Sequence, residues 1–276
     1  MQFEVVAEGL AFPESPRWHD GRLWLSEKRA GRVLSIDADG TLSTVAEVEG
    51  EPGGLGWTPD GDLLVVAMAR RAIVRIDATG NQEIWADLAA ITTCRCNDMV
   101  VDRRGNAYVG DFGYDLLGGA DPEPGVLAVA RPDGTISIAA DELHFPNGCV
   151  ITAGGELVVA ESAANRLTAF TIDDDGGLSH RRVWADLGGT VPDGICLDAE
   201  GAIWVADPLN NAVVRVADGG EILASVPTSQ GAFACELGGD DGCSLFVCTF
   251  DAKASASPHP QPVGRVELAR VEVPAG

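Results

Sequence analysis

Four oxygen-bearing side chains recur at one position of a repeated pattern: Glu14 in FPESP, Asn97 in RCND, Asn147 in FPNG and Asp193 in VPDG. Gly53 (EPGG) and a residue near Phe233 (GAFAC) hold the same position in two further copies. Turns by themselves favour Asn and Asp. Yet Glu14, Asn147 and Asp193 each follow a proline directly, and four of six at one register is more than turn chemistry asks. Two carboxylates and two carboxamides offer oxygen and nothing softer. That donor set suits one hard divalent cation, Ca²⁺ first, with Mg²⁺, Mn²⁺ or Zn²⁺ as alternatives. The histidines (His19, His144, His180, His259) are scattered without ligand spacing, although His144 lies close to Asn147 in sequence.

Side chains this far apart in sequence meet only if the fold brings six equivalent points to one place. The chain supplies that arrangement. GRLWLSE, GDLLVVAM, GNAYVGDF, GELVVAES, GAIWVADP and GCSLFVCTF start 40, 44, 50, 46 and 41 residues apart. Each is a glycine turn followed by an apolar strand, with a shorter apolar strand before it and two strands after it. This period suits a four-stranded propeller blade, and six copies predict an all-β, six-bladed β-propeller over residues 1–276, one domain. Only five fourth strands follow their third strands. FEVVAEG, residues 3–9, resembles the missing sixth, so the N-terminal strand is expected to pair into the last blade and close the ring, leaving no open sheet edge. Inner strands then line a central channel, and the recurring position rings its mouth.

Strand direction predicts a second ring. Second strands run back towards the mouth and end on Glu27, Asp111, Glu161 and Asp207. These acids are expected to surround the cation or to contact substrate hydroxyls. The insertion at 111–125, rich in Gly and Pro, is a candidate lid, and 249–264 is a second long loop on the same face.

Composition narrows the partners. With 42 acidic against 19 basic residues and a net charge of −23, the chain repels polyanions, so nucleic acid and anionic membranes are excluded as partners. No stretch approaches the roughly 18 apolar residues of a membrane helix, and MQFEVVAEGLAF has no signal-peptide pattern. Seven cysteines without a CxxC pair read as reduced, buried thiols and point to the cytoplasm.

ESPRW, RCNDMVVD, FPNG, VPDGICLDAEGAIWVAD and ACELGG resemble, in order and spacing, the gluconolactonase / senescence marker protein family, which includes regucalcin and the luciferin-regenerating enzyme. The resemblance spans nearly the whole chain. It implies a metal-dependent lactonase acting on a small molecule, with Glu14, Asn147 and Asp193 as metal ligands and Asp193 as catalytic base. Arg95 and Asn97 match the family's substrate-contacting motif. In the implied reaction the cation polarises the lactone carbonyl, and either Asp193 or a cation-bound water accepts the proton. Departures are ESP where the family has EGP, NDM for NDG, and a different 111–125 segment. A cation-binding propeller without hydrolase activity, or an isomerase or condensing enzyme on the same site, is the rival reading.

Overall fold

The computed structural model describes residues 3–255 and 261–276, and in it six four-stranded antiparallel sheets form a β-propeller. The first blade runs from Pro13–His19 through Arg22–Glu27 and Arg32–Ile36 to Leu42–Glu47. The inner strands of the next four are Pro52–Trp57, Cys96–Val101, Pro146–Ile151 and Ile195–Leu197. The last blade is assembled from both ends of the chain. Gly231–Gly238, Ser244–Phe250 and Gly264–Arg270 supply three strands, and Glu4–Leu10 pairs antiparallel with Gly264–Arg270 as the fourth. The expected closure is therefore the one the structure adopts.

The strands are apolar on both faces because both faces are covered. Buried side chains gather into six clusters, each wedged between two neighbouring blades. Leu64, Val66 and Ile73 of the second blade pack with Met99, Val109 and Ala128 of the third. Val158, Ala160 and Leu167 of the fourth pack with Ile195, Val205 and Val214 of the fifth. Outer strands cover nothing beyond them, and Leu42–Glu47 is accordingly exposed along most of its length. All seven cysteines are free thiols. No helix among the described residues is long and apolar enough to cross a membrane. Part of the 249–264 loop, including His259, lies outside the described residues.

Candidate functional site

Each ring residue is aimed by an irregularity of its own strand. In the first four blades the pairing of inner and second strands slips at the ring position: between Glu14 and Arg17, Pro52 and Leu55, Cys96 and Met99, and Pro146 and Cys149. A bulge of this kind inserts an extra residue, bends the strand and re-aims a side chain. In the fifth blade the regular strand begins only at Ile195. Asp193 precedes it, anchored by its N–H to Ala206 O at 3.0 Å, while Ala206 N–H returns to Gly194 O at 3.0 Å. The glycine after Asn147 and Asp193 has a packing cause. A Cβ on Gly148 would lie 2.6 Å from Ile195 N, and one on Gly194 would lie 2.5 Å from Ala234 Cβ, so adjacent inner strands approach too closely for any side chain.

Glu14, Asn97, Asn147 and Asp193 line one cavity of about 390 Å³ at the mouth of the channel. Asn97 donates Nδ2 to Pro146 O at 3.2 Å, and Asn147 donates Nδ2 to Ser162 Oγ at 3.3 Å. Ser162 in turn donates to Pro192 O at 2.6 Å, tying the strand that carries Asn147 to the turn that carries Asp193. Each of these bonds uses one amide hydrogen, so both carboxamides keep an oxygen and one further hydrogen to offer. Asp193 Oδ1 is buried and has no hydrogen-bond partner among the described residues. Burial raises the Glu14 carboxyl to about 7, opposed by the Lys28 ammonium and reinforced by Asp98. Burial, and then the neighbouring Glu14, hold Asp193 well above the usual carboxylate range. Two buried acids that disfavour each other's charge, one with an orphaned oxygen, fit a site that holds a cation. Among the described residues no group of three His, Cys, Asp or Glu could hold a metal, so a cation here would depend on the carboxamide oxygens.

Arg95 also lines the cavity and forms an ion pair with Glu51 of the second blade. The second ring stands apart from this cavity. Asp111 and Glu161, expected to contact substrate, are absent from the cavity wall, as are Glu27 and Asp207. Their carboxylates are buried and engaged elsewhere. Glu27 accepts Ala11 N–H at 2.8 Å and pairs with Arg32. Glu161 accepts His144 N–H at 2.9 Å and Arg166 Nε at 2.8 Å. Asp111 accepts Val126 N–H at 2.8 Å, and Asp207 accepts Leu209 and Asn210 N–H at 3.1 Å. Ala11 and His144 stand three residues before Glu14 and Asn147, so Glu27 and Glu161 fix the approach to the ring. For Glu161, burial works upwards, but Arg166, the His144 N–H and Thr168 outweigh it and leave the carboxyl lowered. The His144 side chain is exposed, as a surface loop histidine.

Phe12, Lys28, Glu51 and Phe145 escape the sequence reasoning, whereas Arg95 enters it through the family motif. Phe12, Glu51, Arg95 and Phe145, each two positions before a ring position, form a collar above it. Phe112, Leu116 and Leu117 of the 111–125 segment and Phe233 complete the wall. Lys28 Nζ lies 5.3 Å from the Phe12 ring and 5.7 Å from that of Phe112. Below the ring, Arg17 donates to Asp98 Oδ1 at 2.7 Å and to Met99 O at 2.8 Å. Its charge also opposes the burial that raises Glu236 to about 7.

Relatives share this architecture. The pentonolactonase XacC of Haloferax volcanii is 28% identical over 253 residues, covering 89% of this chain and 84% of its own. A structure of a gluconolactonase from Xanthomonas campestris superposes with a TM-score of 0.78 at 25% identity, covering 99% of this chain and 89% of that one. A calcium-binding protein, regucalcin, from Agrobacterium tumefaciens shares the fold, with a TM-score of 0.81 at 22% identity over 99% of this chain and 94% of that one. The sequence pattern of the SMP-30/Gluconolactonase/LRE-like region matches residues 12–251, from the collar of the first blade into the last, and the chain belongs to that family.

Proposed function

We propose that this protein is a divalent-cation-dependent hydrolase that opens the ring of a small lactone. The observation that carries the proposal is the buried, unpartnered Asp193 Oδ1 in a cavity shared with Glu14, Asn97 and Asn147. Relatives named pentonolactonase and gluconolactonase support the same chemistry. Glu14, Asn147 and Asp193 would hold the cation, Ca²⁺ by its donor preference. When bound, the cation supplies Lewis-acid polarisation of the lactone carbonyl.

The chain's own residues carry the proton and the orientation. Asp193 accepts a proton from the attacking water as the water oxygen bonds to the carbonyl carbon. It returns that proton to the ring oxygen when the ring C–O bond breaks, leaving a hydroxy acid. Burial and Glu14 raise the Asp193 carboxyl, a bound cation would lower it, and the balance of the two sets how well it serves both halves of this exchange. Arg95, held by Glu51, and Asn97, held by Pro146 O, present donors to the ester oxygens. Phe12, Phe112, Phe145 and Phe233 exclude water from the space above. A lactone panel followed by acid release, with Ca²⁺ and with excess chelator, tests the proposal. Cation-dependent turnover of at least one lactone is expected. Tight cation binding without turnover of any lactone would favour a binding protein instead.

A further inference from the structure

We infer that the cavity accepts a lactone bearing a hydrocarbon substituent in preference to a polyhydroxylated sugar lactone, an inference that rests on the lactonase proposal above. Once Glu14, Asn97, Asn147 and Asp193 are assigned to the cation and the ester, the polar groups left are charged ones already engaged: Arg95 with Glu51, and Lys28 and Arg29 over the phenyl rings. The other lining residues are four phenylalanines, Leu116 and Leu117, the Arg95–Glu51 pair, Lys28 and Arg29. Among the described residues no Ser, Thr, Gln, Tyr or His lines the space. Sugar hydroxyls placed there would lose water and meet phenyl rings, which costs free energy for every group left unpaired.

The apolar wall is built rather than incidental. Phe112 stacks on Phe145 with ring centroids 4.6 Å apart, and Phe12 packs on Phe233 at 4.9 Å and on Phe250 at 4.4 Å. These two aromatic groups come from opposite parts of the ring, with the Lys28 ammonium between Phe12 and Phe112. Phe145 sits at φ 58°, a left-handed conformation that a bulky residue rarely adopts. Leu116 and Leu117 stay 46% and 71% exposed at the entrance, although a surface loop in so acidic a chain has no packing need for two leucines. Scattered exposed leucines mean little, but adjacent ones continuing an aromatic wall describe a seat for an apolar chain.

The test uses the Ca²⁺-loaded protein with γ-lactones carrying no, an ethyl or a pentyl substituent, alongside glucono-1,5-lactone. Expected is a rise in kcat/KM of about fourfold per buried methylene, with the pentyl compound ahead of the sugar lactone. Leu117→Asp should flatten that series. Calorimetric binding of 2-pyrrolidinone against its 5-pentyl derivative, unreactive mimics of the same ring, reads the preference without turnover. A flat alkyl series with the sugar lactone preferred overturns the inference and leaves the lactonase proposal standing. If no lactone is opened but the pentyl lactam binds more tightly, the apolar seat stands and the hydrolase proposal falls. No preference in either series overturns the inference.

Discussion

Asp193→Asn replaces a carboxylate by an amide of nearly the same shape, and its effect on the metal-free protein has a definite sign. Asp193 Oδ1 is buried without a partner, and the charge of Glu14 further disfavours the ionised form. A buried polar atom left unsatisfied costs about 1–3 kcal/mol, more when charged. Asn keeps a polar atom there but not the charge, so the variant removes only the charged excess and should stabilise chelator-treated protein at pH 8 by about 1–3 kcal/mol. For a chain of this length that is a rise in Tm of about 2–8 °C. Added Ca²⁺ should act in the opposite sense across the pair. At a hundredfold excess over Kd, the wild type gains about 2.7 kcal/mol, whereas the variant, with one anionic ligand fewer, gains less than half of that. Scanning calorimetry with chelator and with Ca²⁺ reads both numbers, and Glu14→Gln should behave alike. At saturating Ca²⁺ the two variants separate in activity: Asp193→Asn loses a further ~10²–10⁴-fold through the missing proton acceptor. A metal-free Asp193→Asn protein that is less stable than wild type, yet keeps the full Ca²⁺ gain, would refute the reasoning, because Asp193 would then be a structural acid.

Other residues give independent outcomes. Arg95→Ala should raise KM about 10- to 100-fold through loss of a charged donor while Ca²⁺ affinity measured by titration calorimetry hardly changes. Ser15, at φ 47° and buried, stands where the family has glycine, so Ser15→Gly should raise the denaturation midpoint by about 1 kcal/mol of stability. Glu236 is raised by burial to about 7 from an ordinary 4.5, so its contribution to stability is full below about pH 4.5 and is lost as pH climbs towards 7. Glu236→Gln should match wild type at pH 4.5 and exceed it at pH 8 by about 2 kcal/mol, after allowance for its partial solvent contact, as read by urea denaturation at the two pH values.

Much of this architecture is legible before any coordinates. The six glycine-led strands announce blades because each blade is covered on both faces and its strands need no polar side. The orphan strand read at residues 3–9, Glu4–Leu10 in the structure, announces closure because an unpaired edge would be left otherwise. The convergence of Glu14, Asn97, Asn147 and Asp193 on one cavity follows from register alone, since equivalent points of equivalent blades must meet at the axis. The second ring stands off the cavity for a physical reason. Ending on the same face does not bring a side chain to the centre, because second strands lie one strand further out. Glu27 and Glu161 are also turned aside by partners already written in the chain: Arg32 and Arg166 each follow their glutamate by five residues, and the pairing draws both carboxylates along the sheet.

Of the collar, only Arg95 is visible to the sequence reading, through the family motif, although the same register argument contains Phe12, Glu51 and Phe145 as well. Bulges at the ring positions of the first four blades turn the following strand inward. The residue two places earlier then overhangs the mouth, which sets Phe12, Glu51, Arg95 and Phe145 above Glu14, Gly53, Asn97 and Asn147. The chemistry and the shape of the cavity are thus carried by two adjacent tiers of one repeated segment. The lower tier is constrained by oxygen donors and by glycines that have no room for a Cβ. The upper tier touches neither constraint, so its residues can change without disturbing the ring beneath. On the lactonase proposal, substitutions at Phe12, Phe145 or Leu117 should therefore change which lactone is opened while leaving Ca²⁺ affinity nearly unchanged, as a lactone panel and titration calorimetry on each variant would read.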